Sequence, residues 1–214
     1  MSYIKQPQQI ESASFEIIRT LIAQERPKYR FADLWQQSII LRAIHTSADF
    51  DWLDILHFSA DAPQRIADAL RQGCTLYTDT TMALSGINKT ELARLGCDIR
   101  CFIGDTDVAE QARAAGITRS MAAVDRAVCA PGKSLFVFGN APTALFRLLE
   151  HCTAGQGTRP EAVIGVPVGF VGASESKQAL AQSDLPCIAA LGRKGGSNIA
   201  AAIVNAIVYQ LREE

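Results

Sequence analysis

Ser134-Leu135-Phe136-Val137-Phe138-Gly139-Asn140-Ala141-Pro142-Thr143-Ala144-Leu145 decides the fold. The run from Ser134 to Phe138 carries no charge and is rich in aromatic and branched side chains, the pattern of a strand covered on both faces. Gly139 and Asn140 stop it. Pro142 and Thr143 then open a helix, because the first helical turn needs no N–H from a proline.

Outward from this unit the same alternation recurs. Strands are expected near residues 75–78, 99–103, 134–138, 162–166 and 187–191. Helical patterns fall at residues 88–95, 107–115, 120–128, 143–151, 174–182 and 197–211. Strands alternating with helices predict an α/β fold: a mostly parallel central sheet of about five strands flanked by helices. Two or three helices ahead of the first strand form an N-terminal helical lead-in. In the first of them Ile10, Ser14, Ile17, Ile18 and Leu21 share a face, on which Ser14 is a polar intruder. Residues 1–214 read as one domain.

Composition narrows the function. Of 214 residues, 48% are hydrophobic and 20% charged, and the formal net charge is −1. That balance describes a soluble globular protein and argues against a general nucleic-acid binder. The N-terminal segment has no apolar core for a secretory signal, and the greasiest run, residues 199–209, is too short to span a bilayer. No membrane association and a cytoplasmic location are expected. The six cysteines form no C-x-x-C pair and there are three histidines, so reduced core cysteines, no metal site and no cofactor are expected.

In open α/β sheets, ligands bind beyond the carboxyl ends of the strands, so the loops there carry the chemistry. Neither G-x-x-x-x-G-K-[ST] nor G-x-G-x-x-G occurs in them. The last, Gly192-Arg193-Lys194-Gly195-Gly196-Ser197-Asn198, reads as an anion site: two cations, two glycines that admit close approach, and Ser197 capping a long helix. A plain cap with a flexible turn gives the same pattern. That last helix is apolar on nearly every face except Asn205, and so is either central or packed on another subunit. Asp79 ends the first predicted strand, as a site group or as an acceptor for nearby backbone. Asn140 either faces a ligand or caps the helix after it. Thr143, Arg119 and Ser120 stand at helix starts, where Arg119 has the planar fork that clamps a carboxylate. Glu175 begins another helix, and Lys177 beside it reaches a carboxylate or solvent.

Residues 34–48 form a further predicted helix with Asp33 as N-cap. Leu34, Leu41, Ile44 and Ala48 give its apolar stripe, while Ser38, Arg42, His45 and Asp49 form a polar one. An arginine one turn from a histidine sets a proton donor beside an anion-binding group. A solvated polar face has the same spacing. His57 and His151 have no such setting and are expected at the surface or at helix ends.

These segments, with Ser14-Phe15-Glu16-Ile17-Ile18-Arg19, Thr118-Arg119-Ser120 and Val166-Pro167-Val168-Gly169-Phe170-Val171-Gly172-Ala173-Ser174-Glu175-Ser176-Lys177, resemble the precorrin-8X methylmutase (precorrin isomerase) family, in the same order from Ile10 to Asn205. The resemblance implies a homodimeric α/β isomerase of cobalamin biosynthesis. It would move a methyl group from C-11 to C-12 of a polycarboxylated tetrapyrrole to give hydrogenobyrinic acid or its cobalt counterpart. It matches His45 to the catalytic histidine and Ser14, Arg42 and Arg119 to substrate contacts, with the turn at Ser197 lining the site. Asp79, Ser120, Asn140, Thr143, Arg193, Lys194, Gly195 and Gly196 complete the expected binding set. The shift needs no redox cofactor, only a rigidly held macrocycle and a proton, so His45 is expected to act as general acid. Handover of product to the next enzyme of the pathway fits this class. Two rivals stand beside it. One is a non-catalytic corrinoid carrier, which needs the arginines but not His45. The other is a nucleotide-dependent oxidoreductase, which lacks its glycine fingerprint here.

Overall fold

The computed structural model describes residues 4–59 and 61–213. In chain order it has α1 (Pro7–Glu25), α2 (Leu34–Ser47), α3 (Trp52–Ile55), β1 (Leu56–Phe58), α4 (Ala62–Arg71), β2 (Thr75–Thr78), α5 (Thr81–Gly86), α6 (Lys89–Arg94), β3 (Asp98–Arg100), α7 (Thr106–Ala115), α8 (Arg119–Val128), β4 (Ser134–Phe138), α9 (Pro142–Ala154), β5 (Ala162–Gly165), α10 (Ala173–Gln182), β6 (Cys187–Ala190) and α11 (Ser197–Glu213). The sheet has six strands in the order β1-β6-β5-β4-β2-β3. All neighbours are parallel except β1, which pairs antiparallel with β6, Leu56 opposite Ala190.

The α/β architecture is the expected one, with a sixth strand. β1 escapes a sequence reading because three residues carry no periodicity, and an edge strand is defined by its partner. Its middle residue is His57, half-buried in the sheet rather than at a surface or helix end. The strand expected at 99–103 is shorter and earlier, Asp98–Arg100, set by pairing of Thr75 with Asp98.

Both sheet faces are covered. β4, β5 and β6 are buried at every position, which explains their unbroken apolar runs. One face carries a large cluster that includes Ile66 and Leu70 of α4, Leu92 of α6 and Ile199, Ile203 and Ile207 of α11. The opposite face packs Val124, Leu145 and Leu180 of α8, α9 and α10. α11 lies between the sheet and α2, so its all-round apolar character is spent within this chain. Its single intruder is occupied: the Asn205 side chain accepts from the Asn88 N–H at 2.8 Å and donates to the Gly86 carbonyl at 2.9 Å.

α2 starts as expected, the Asp33 carboxylate accepting from the Gln36 N–H at 2.7 Å, a cap that contributes about 1 kcal/mol. Its buried face is Ile39, Ile40, Leu41, Ala43 and Ile44, each large side chain contributing roughly 1.5–3 kcal/mol by leaving water. Leu34 lies outside that stripe at 69% exposure, as does Ala48. On α1, Ile18 and Ile22 are buried while Ile10 and Ile17 are exposed. The expected α1 face is therefore turned: Ile18 and Ile22 face α2, and Ile10 and Ile17 face outward. Of the cysteines, Cys74 and Cys187 are buried but Cys129 is exposed, so not all of them serve the core. Among the described residues, no helix is long and apolar enough to cross a membrane.

Candidate active site

The strand order reverses between β2 and β4. From β2 the chain proceeds outward to β3, whereas from β4 it proceeds the other way through β5 to β6. Loops leaving neighbouring strands in opposite directions open a crevice at their carboxyl ends. A cleft of about 590 Å³ lies there, lined by Asp79, Thr80, Thr81, Ile103, Gly104, Arg119, Ser120 and Asn140. Four predicted site residues from three separate loops thus meet in one cavity. Thr143 stands beside them: its Oγ1 lies 3.2 Å from that of Thr118, which caps α8.

Asp79 is the keystone of the cleft floor. It is buried, with Oδ1 accepting from the Gly139 N–H at 2.9 Å and Oδ2 from those of Asn140 and Ala141 at 2.7 Å each. Burial pushes its carboxyl above the ordinary carboxylate range, against the downward pull of those three donors. The backbone-acceptor reading of Asp79 is the one the geometry shows. It shapes the β4–α9 turn, leaving the Asn140 side chain exposed in the cleft. Asn140 is not a cap: α9 opens from Ala141 and Pro142 without a side-chain bond. Arg119 is the first residue of α8, exposed, and has no carboxylate partner among the described residues.

The β6–α11 loop adjoins this cleft. Ser197 is buried and is the first residue of α11 rather than its cap, and its hydroxyl lies 2.7 Å from that of Thr80. Gly139 packs directly on it; a Cβ there would come within 2.5 Å of the Ser197 Cα. The two glycines answer to a protein carbonyl. A Cβ on Gly195 (φ +158°) would sit 2.1 Å from the Val166 oxygen, and the Gly196 N–H donates to that same oxygen at 2.9 Å. The expected pair of free cations divides. Arg193 is exposed, its guanidinium 5.7 Å from the centre of the Phe170 ring, but the Lys194 ammonium is held by Asp49 and Asp51 at 2.5 and 2.6 Å. Lys177, which sequence sends to a carboxylate or to solvent, is instead fully buried and donates to the Lys194 carbonyl at 2.7 Å. Desolvation lowers its pKa to about 8.

Ser14, Arg42 and His45 form a second group, on α1 and α2, outside the cleft. His45 occupies the last turn of α2, exposed, with its ring 5.1 Å from that of Phe15. The Arg42 guanidinium lies 4.9 Å from the Phe15 ring and 5.0 Å from that of Tyr209, and its Nη1 bonds Glu11 at 2.5 Å. Its Nε is buried without a partner. Ser14, half-buried, neighbours Phe15 on α1. The β6–α11 loop joins the two groups, since Ser197 touches the cleft residue Thr80 while Lys194 holds Asp49, four residues beyond His45.

Thr80 and Phe15 were not singled out from sequence. Thr80 stands between Asp79 and Thr81 in a loop already recognised, and Phe15 directly follows Ser14. The burial of Lys177 had no legible signal, because an isolated lysine in a helix reads as solvated. His151 is at a helix end as expected, but it is partnered: its Nε2 lies 2.5 Å from Asp125.

Three comparisons bear on this arrangement. A family model described as precorrin-8X methylmutase matches residues 9–210. A cobalt-precorrin-8 methylmutase of Salmonella typhimurium is 63% identical over 214 residues, all of both chains. A precorrin-8X methylmutase of Pseudomonas aeruginosa is 38% identical over 212 residues, 98% of this chain and 99% of that one. Among solved structures, the precorrin-8X methyl mutase of Thermus thermophilus matches with a TM-score of 0.83 at 30% identity, over 96% of this chain and 97% of the other.

Proposed function

This chain belongs to the precorrin-8X methylmutase family, and on that premise we propose that His45 is the general acid for a methyl shift on cobalt-precorrin-8. The chain is an isomerase of cobalamin biosynthesis. The cobalt-bearing substrate is favoured over the cobalt-free one by the 63% identity to the Salmonella protein, against 38% to the Pseudomonas one.

The reaction breaks the bond from the methyl carbon to C-11 and makes one to C-12, with no change in composition. Protonation of the macrocycle draws electron density toward the ring and eases the migration. Because substrate and product are isomers, that proton is returned. His45, as imidazolium, delivers it, and the observation that carries this role is its exposed ring seated on Phe15 one turn from Arg42. Arg119 and Arg193 meet acetate and propionate groups, each desolvated contact contributing roughly 1.5–3 kcal/mol. Ser14, Ser120, Asn140, Thr143 and the turn through Gly195, Gly196 and Ser197 line the macrocycle. Asp79 supports that surface from beneath.

We assign a homodimer, supported by the exposed apolar Ile10 and Ile17, seven residues apart on α1, and by Leu34, an exposed apolar side chain on α2. The reaction belongs in the cytoplasm. The test is the absorption spectrum of the protein with cobalt-precorrin-8. Conversion to the product chromophore, abolished in His45→Ala while product still binds, is the expected result. A spectral shift without conversion would make the chain a carrier, and near-normal turnover of His45→Ala would remove the acid role.

A further inference from the structure

We propose that Lys194 is a positioning residue, which fixes the His45 end of α2 to the β6–α11 loop and does not bind a substrate carboxylate. The proposal rests on His45 being the acid. Both ends of Lys194 are already committed. Its ammonium contacts Asp49 Oδ2 at 2.5 Å and Asp51 Oδ2 at 2.6 Å, and its carbonyl accepts from buried Lys177 at 2.7 Å. One cation between two carboxylates leaves the spot net negative. An incoming polycarboxylate would meet Asp51, 60% exposed, before a free ammonium.

The geometry at the other end of this contact shows what is being held. Asp49 is four residues past His45, and the chain between them turns sharply. Ala48 closes α2 in the left-handed region with φ +54°, the one non-glycine residue there among those described. That conformation is disfavoured for a residue with a Cβ and persists only where surrounding contacts over-determine it. They do so here. The Ala48 N–H donates to the Ile44 carbonyl at 2.7 Å, Trp52 Nε1 donates to Ser47 Oγ at 2.6 Å, and Asp49 Oδ1 accepts from the Asp51 N–H at 3.0 Å. Lys194 then ties this turn across 145 residues of sequence to the loop that carries Ser197. A proton donor must be held to a fraction of an ångström relative to the bound ring, and displacement by about 1 Å can cost about 10²-fold in rate.

The ion pairs are half-exposed, so their removal alters stability little, and the fold of the variants is checked by thermal melting. The experiment measures kcat and KM for cobalt-precorrin-8 in the wild type, Lys194→Met, Lys194→Arg, the double variant Asp49→Asn/Asp51→Asn, and His45→Ala. Positioning predicts that Lys194→Met and the double variant each lose about 10- to 100-fold in kcat, with KM within about twofold and Lys194→Arg largely retained. A rise in KM at intact kcat for Lys194→Met, or a lower KM when Asp49 and Asp51 are neutralised and the lysine is freed, would make Lys194 a substrate contact and overturn the proposal. Full kcat in the double variant overturns it as well. Failure of the underlying reading has a separate signature: His45→Ala then turns over normally, whatever the Lys194 variants do.

Discussion

Lys177 offers a direct test of the packing beneath the site. Its side chain has no exposed surface, and its ammonium donates to one backbone carbonyl, that of Lys194. Desolvation lowers its pKa from 10.5 to about 8. The folded value lies below the unfolded one, so the unfolded chain holds this proton more tightly. Below about pH 8 both states are protonated and the fold bears the whole burial penalty. As pH rises from about 8 toward 10.5, the folded amine is already neutral while the unfolded one is not, and stability increases. The full gap corresponds to roughly 3 kcal/mol, of which about 2 kcal/mol is recovered between about pH 7 and about pH 9.5. Urea unfolding of the wild type and Lys177→Met at those two pH values isolates the effect, because the other groups titrate alike in both proteins. The wild type should gain about 2 kcal/mol on the variant at the higher pH, with equal denaturant slopes. If the wild-type stability relative to the variant stays constant, or falls, as pH rises, Lys177 is solvated in the fold and the reasoning is refuted.

Two further substitutions probe the floor of the cleft and the loop beside it. Asp79→Asn puts an amide donor against the backbone N–H groups of the β4–α9 turn and should cost about 1–3 kcal/mol in urea unfolding; unchanged stability would show that those N–H groups find other acceptors. Gly195→Ala drives a Cβ to within 2.1 Å of the Val166 oxygen at φ +158°, and should destabilise by at least about 3 kcal/mol in thermal melts. Gly104→Ala, where a Cβ meets nothing within 4 Å, is the control and should melt close to wild type.

Sequence alone determined the strand-and-helix alternation and the loops that form the site. β2 and β4 begin and end where the sequence places them, at residues 75–78 and 134–138, and the Asp33 cap follows from one residue type at one position. Burial on both faces and capping are local demands, written in a few consecutive side chains. Sequence also brought Asp79, Arg119, Ser120 and Asn140 forward, since each ends a strand or opens a helix. Tertiary structure decided what each of these does. Asp79 reads equally as a site group or a backbone acceptor until the β4 turn, 60 residues away, supplies three N–H donors. Lys194 reads as a free cation until the turn after α2 brings Asp49 and Asp51 to it. β1 exists because β6 is beside it, and Ile10 and Ile17 face outward because Ile18 and Ile22 take the contact with α2. In each case the partner lies far along the chain, and periodicity reports which face of an element is apolar but not which distant segment will meet it.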